Sequence, residues 1–200
     1  MNVYDFDNTI YEGESVLDFY LYSVRKQPFL LKYLFVVLKT LMRYKLCRIT
    51  TEELEKTAKK YARRYLLELK NKDLLVKTFW DTHQQKIKPF YMEKRKDDDV
   101  IISASVDFLL EEILERLGLH HFIATCVDTA TGEVKHVCYR KNKVALFLEQ
   151  YPDAKIENFY TDSLNDAGMM ALAKHAYLVK GEALREIGEK EKQENLQNIL

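Results

Sequence analysis

Cysteine, proline and glycine are all scarce in this 200-residue chain, which holds 3, 3 and 6 of them. Three cysteines, Cys47, Cys126 and Cys138, cannot form a disulfide framework, and with the first apolar run read as a strand no secretory leader is expected. A reduced, cytoplasmic setting is therefore expected. Cys126 and Cys138 stand equidistant from Gly132 in IATCVDTATGEVKHVCY, and are expected as packed free thiols facing each other across a hairpin. Net charge is lacking too, because 31 Lys and Arg balance 31 Asp and Glu. That balance hides a partition: residues 14–85 hold 15 basic against 8 acidic side chains, and the remainder holds 16 against 23. Such a basic stretch suits an anionic small molecule, a lipid surface or nucleic acid, and equally the solvated faces of helices. No internal repeat occurs. The most apolar stretch, PFLLKYLFVVLKTLMRYKL, is broken by Lys32, Lys39 and Arg43 and is too interrupted to span a bilayer.

What is present is enough apolar and aromatic residue, 47% and 12%, to fill a core. The length suits one domain with an inserted element. The run NVYDF reads as a short strand broken by NTIYEGE. From Ser15 to His83 the pattern is helical, with SVLDFYLYSVRKQ, PFLLKYLFVVLKTLMRYKL and TTEELEKTAKKYARRYLLELK as three helices. Thr50, Thr51, Glu52 and Glu53 give the last a start like a capping box. DLLVKTFWDTH adds a short fourth helix, and Trp80 with the Tyr-rich helices is expected to fill a core of its own. In the second helix Leu31, Leu34, Phe35, Leu38, Leu41 and Met42 form a broad apolar face, which suits packing or, beside its cations, an anionic membrane surface.

After Lys88 and Pro89, strands and helices alternate. DDDVIISAS, HFIATCVD, ENFYTDS and AYLVK are strands, VDFLLEEILERLGL, KVALFLEQY and NDAGMMALAK are helices, and VKHVCY closes a hairpin. The last twenty residues read as a charged helix fraying into a tail. This rhythm predicts an α/β fold, a doubly wound, Rossmann-like parallel sheet. The helical block is then an insertion after the first strand: residues 1–13 and 86–200 form the core, and 14–85 form a helical cap above the strand ends where open α/β sheets bind ligands.

The chemistry concentrates at those ends. Asp5 and Asp7 are spaced i, i+2, so a strand directs both to one side. Paired carboxylates there suit a hard cation such as Mg²⁺, whereas an EF-hand is excluded because Ile10 stands where Gly is needed. Ser103 ends VIISAS, Lys143 starts a helix, and Asp162 and Asp166 lie in FYTDSLND. A carboxylate, a hydroxyl, an ammonium and a second acidic pair are the inventory for phosphoryl transfer. His120 and His121 are adjacent and cannot share a metal.

On these motifs the chain resembles the haloacid dehalogenase superfamily of phosphatases, in its phosphoserine phosphatase-like branch: DFDNT, SAS, Lys143 of RKNKV and DSLND match the four motifs in order. The resemblance covers the core; the cap matches only in position and helicity. It implies that Asp5 attacks phosphorus, forming an aspartyl-phosphate, and that Asp7 handles the leaving-group and water protons. It further implies Mg²⁺ held by Asp5, the Asp7 carbonyl and Asp162, with Asp166 in support. The phosphoryl oxygens would meet Ser103, Lys143 and Asn165, together with backbone N–H groups that include that of Ala104. Lys141 is the fallback for the phosphate lysine. Three departures from the family pattern are Asn8 and Thr161 where Gly is common, and Val106 where Pro is frequent. Glu14 falls where relatives hold a substrate amine, but no cap Arg is in register with the one that binds a serine carboxylate, and Thr57 lies near that place.

The implied function is a Mg²⁺-dependent phosphomonoesterase for a small anionic metabolite, with no nucleic-acid partner. Its alternatives are a phospholipid head-group phosphatase of the phosphatidylglycerophosphate type at a membrane surface, or a non-enzymatic phospho-acceptor switch. A switch would carry its acceptor on a middle strand and have no cap.

Overall fold

A computed structural model describes residues 1–45 and 51–197, with the side chains at 37, 38, 40, 41, 43–45, 51–55 and 58 outside the description. Cys47, the Thr50 capping box, Leu38 and Leu41 of the apolar helix face and the cation Arg43 therefore lie outside the described side chains. The elements run β1 (Asn2–Tyr4), α1 (Ser15–Lys26), α2 (Leu31–Lys45), α3 (Thr51–Glu68), α4 (Lys72–His83), α5 (Pro89–Lys94), β2 (Val100–Val106), α6 (Asp107–Arg116), β3 (Phe122–Asp128) and β4 (Glu133–His136). They continue with α7 (Lys141–Gln150), β5 (Ile156–Thr161), α8 (Ala167–Leu172), β6 (Ala173–Lys180), β7 (Ala183–Ile187) and α9 (Glu189–Gln197).

Among the described residues the strands form one sheet in the order β4-β3-β2-β1-β5-β6-β7, parallel at its centre and antiparallel at both edges. Because successive strand residues face opposite sides, each central strand supplies both cores. Val3, Ile102 and Phe159 pack on one face with Phe147 of α7 and Met170 of α8, while Tyr4, Ile101 and Tyr160 pack on the other with Leu109 and Ile113 of α6. This is the expected α/β sheet.

Two expectations about strand pairing differ from the fold. The segment after Gly181 is not all helix: ALREI is an edge strand paired with β6 through Lys180 and Ala183, and only residues 189–197 are helical. Gly181, at φ +60°, makes the tight turn. In the β3–β4 hairpin, Cys126 lies opposite His136 rather than Cys138, because Asp128 pairs with Glu133 and Val127 with Val134, which centres the turn between Ala130 and Thr131 and not on Gly132. Both thiols are free, and Cys138 is buried against the Ile123 carbonyl.

The inserted helices are rooted in the sheet's own core. Phe19 of α1 and Phe79 of α4 meet edge to face, and Phe19 also meets Phe108 of α6. Trp80 is fully buried against Phe6 and Tyr11, and its indole N–H donates to the Leu109 carbonyl at 2.7 Å. Instead of filling a separate core, Trp80 ties α4 to α6. Trp80→Phe is expected to cost about 1–2 kcal/mol through a lost hydrogen bond and a small cavity. The check is the urea midpoint, and an unchanged midpoint would remove Trp80 from this role.

The two chain segments entering and leaving the insertion pair with each other. Tyr11 bridges Ile87 antiparallel, Glu12 N–H donates to the Lys86 carbonyl at 2.8 Å, and Lys88 N–H donates to the Ile10 carbonyl at 2.8 Å. Asp18 clamps this junction by accepting from Tyr11 Oη and Lys86 Nζ, each at 2.6 Å.

Candidate active site

Sheet order decides which residues can meet. β1 lies between β2 and β5, so the chain just beyond β1 is flanked by the ends of both neighbours. Asp5 follows β1 directly, its N–H donating to the Tyr160 carbonyl of β5 at 2.8 Å. Ser103 and Ser105 come from β2, Asp162 and Asp166 follow β5, and Lys143 lies in the first turn of α7.

The centre is a buried charge cluster. Lys143, 3% exposed, donates from Nζ to Asp5 Oδ1 at 2.7 Å and to Asp166 Oδ2 at 2.9 Å. Lys141, the fallback, is exposed, so Lys143 is the ammonium that reaches the centre. Burial pushes the Asp5 carboxyl above the ordinary carboxylate range; the Lys143 charge opposes this, and Asp166 and Asp7 reinforce it. For Lys143 burial favours the neutral form, but the charges of Asp5 and Asp166 outweigh it and hold the ammonium well above its usual range.

Asp7 is fixed on both oxygens. Oδ1 accepts the Ser15 N–H at the start of α1 at 2.7 Å, and Oδ2 accepts the Ser105 hydroxyl, which also contacts Ser15 Oγ at 2.8 Å. Ser105 is a site residue that the sequence reading missed. SAS offers two hydroxyls on one side of a strand, and β2 continues to Val106, which brings the second one to Asp7. Ser103 is fully buried, and its Oγ accepts the Ser105 N–H at 3.0 Å. Ala104 is exposed, its carbonyl accepting from Thr125 Oγ1 at 2.7 Å.

Two of the three departures from the family pattern, Asn8 and Thr161, find physical explanations. Asn8 sits at φ +57°, a left-handed turn that Asn tolerates better than most residues. Its side chain donates to Glu14 Oε1 at 2.7 Å, which brings Glu14 to the rim of the site. Burial, with the charge of Asp7, pushes the Glu14 carboxyl up. Thr161 takes no left-handed conformation. Its Oγ1 donates to Asp166 Oδ2 at 2.9 Å, so a hydroxyl joins Lys143 in fixing that carboxylate. Lys88 is a second residue the sequence reading missed: it is buried, and its ammonium donates to the Asn8 carbonyl. Its signal was the Lys88-Pro89 pair that marks the return to the sheet. Asn165 is brought to the loop after β5, but its side chain is exposed and makes no hydrogen bond among the described residues.

The donor set is hard oxygen with surplus negative charge. Burial and the Asp166 charge also raise the Asp162 carboxyl. Among the described residues no three acidic, His or Cys side chains form a ready metal cage. Asp5 and Asp162 supplemented by a main-chain carbonyl suit Mg²⁺, and a cation there would relieve both raised carboxyls. Asp166, already holding Lys143 and Thr161, is poorly placed for direct ligation.

The sequence model of the haloacid dehalogenase-like hydrolases matches residues 3–171. No curated protein matches in sequence. Among solved structures, a protein of unknown function from Bordetella pertussis Tohama I is 16% identical with a TM-score of 0.68, covering 88% of this chain and 87% of its own. A phosphoserine phosphohydrolase-like protein from Francisella tularensis subsp. tularensis SCHU S4 is 16% identical with a TM-score of 0.54, covering 98% and 93%. A probable phosphoserine phosphatase from Vibrio cholerae is 14% identical with a TM-score of 0.58, over 88% of this chain and 55% of that one. These identities speak for the fold.

Proposed function

This chain belongs to the haloacid dehalogenase-like hydrolases, and on that premise we propose that it is a phosphomonoesterase working through an aspartyl-phosphate on Asp5, with residues 14–85 as a substrate-selecting cap. The observation that carries this reading is Lys143, buried and shared between Asp5 and Asp166 at 2.7 and 2.9 Å. One oxygen of Asp5 is held by that ammonium and the other is left for attack on phosphorus. Asp7, two residues on, donates a proton to the leaving alkoxide and then takes one from the hydrolytic water. Ser103, Lys143 and the N–H of Ala104 bind the phosphoryl oxygens, with Asn165 and Glu14 addressing the substrate from the rim. Asp166 is a positioning residue that orients Lys143. Mg²⁺ held by Asp5, the Asp7 carbonyl and Asp162 would supply charge neutralisation at phosphorus.

The orientation of Asp7 makes a prediction about Ser105. Ser105→Ala is expected to lower kcat about tenfold with KM nearly unchanged, since the hydroxyl touches Asp7 and not the substrate. Steady-state kinetics on a responsive ester check it; a change confined to KM would contradict it.

The overall test is phosphate release from phosphoserine, histidinol phosphate, sugar phosphates, nucleotides and phosphatidylglycerophosphate, each with Mg²⁺ and with EDTA. Metal-dependent release of one class supports the reading; no release from any ester overturns it and leaves a phospho-acceptor switch. One observation favours the lipid member of that panel. Phe35 and Met42 of α2 are 64% and 59% exposed beside exposed Lys32 and Lys39, an arrangement suited to an anionic interface. No described helix is long and apolar enough to cross a membrane. Preference for the lipid ester, with binding to anionic vesicles, would select that reading.

A further inference from the structure

A second charged concavity lies outside the cluster around Asp5. α3 and the β3–β4 hairpin enclose a cleft of about 490 Å³ lined by Lys59, Lys60, Arg63, Lys135, His136 and Glu133. Its walls are fixed against each other. Arg63 Nε donates to the Thr131 carbonyl at 2.9 Å, and Gly132, at φ +68°, approaches so closely that a Cβ there would lie 2.9 Å from the Arg63 carbonyl oxygen. Among the described residues Lys59, Lys60 and Lys135 make no ion pair, and Glu133 is the only acidic side chain in the lining. Unpaired like charges held in one concavity repel, and an anion between them removes that cost.

We propose that this cleft is a binding site for a ligand carrying a diphosphate group. Four cationic side chains against one carboxylate leave three positive charges in excess. A single phosphoryl group brings about 1.5–2 negative charges, so two linked groups are the better match. The ligand bridges the inserted helices and the sheet domain, with Lys59 and Lys60 on one wall and Lys135 on the other. This site does not depend on the catalytic reading of Asp5.

The probe is inorganic pyrophosphate, titrated calorimetrically against the full chain in EDTA, with orthophosphate as comparison. Pyrophosphate is expected to bind at least tenfold tighter than orthophosphate, and more weakly as salt rises. Lys59→Glu with Lys135→Glu is expected to weaken it at least tenfold at an unchanged unfolding midpoint. Should that pair perturb folding, Lys59→Gln with Lys135→Gln decides, with a smaller loss expected. Equal affinity for the two anions, or undiminished pyrophosphate binding in the folded variant, overturns the proposal.

Discussion

Asp5→Asn is expected to lower phosphate release by at least about a thousandfold while the protein stays folded. Asn keeps an oxygen for Lys143 Nζ, which approaches Oδ1 at 2.7 Å, but its amide cannot serve as the nucleophile. The folded state should tolerate the exchange, because burial already penalises the ionised carboxylate. Phosphate release at saturating ester, beside a thermal unfolding curve, separates chemistry from stability. An Asn variant with undiminished turnover would refute the assignment of Asp5.

Lys143→Met is expected to remove activity and, unlike the Asp5 exchange, to cost about 3–5 kcal/mol of stability, the range for one partner deleted from a buried ion pair. Met fills the space of the side chain but leaves Asp5 and Asp166, 7% and 6% exposed, without their shared ammonium. The pH dependence follows from the directions of the shifts. A Lys held above its unfolded pKa contributes stability below that pKa and loses it only as pH rises through the folded value, so Lys143 contributes fully at neutral pH. In the Met variant Asp5 keeps the upward push of burial and loses the ammonium that opposed it. The folded state then binds more protons than the unfolded state, and the deficit should narrow as pH falls from neutral towards the ordinary carboxylate range. Urea unfolding of both proteins at about pH 7 and about pH 5 tests this; a deficit that widens in acid would contradict the charge cluster.

The sheet and most of the candidate site were legible because each strand end carries its own local signal. Asp5 follows an apolar run, Ser103 ends another, and Asp162 closes FYTDS, so motif order alone implied their convergence. What stayed hidden depends on pairing across the chain. The two serines of SAS are locally equivalent, and only the extension of β2 to Val106 brings Ser105 to Asp7. The strand Ala183–Ile187 sits in a charged segment, and it exists because β6 offers it an edge. The Cys126 partner turned on the centring of the hairpin between Ala130 and Thr131, set by the Asp128–Glu133 pair, which symmetry about Gly132 could not reveal. Trp80 looked like filling for the inserted helices, and its indole partner, Leu109, is 29 residues away. Lys88 drew attention only as a boundary, since nothing local indicates that its ammonium reaches back to the Asn8 carbonyl.

The most direct test of the central claim is a rapid acid quench with the best ester of the panel, radiolabelled in its phosphate, followed by peptide mapping of the protein. Label on the peptide containing Asp5, absent from Asp5→Asn and discharged on the timescale of turnover, is the predicted result. Phosphate release at full rate with no protein-bound label, or with label on another residue, would contradict covalent catalysis at Asp5.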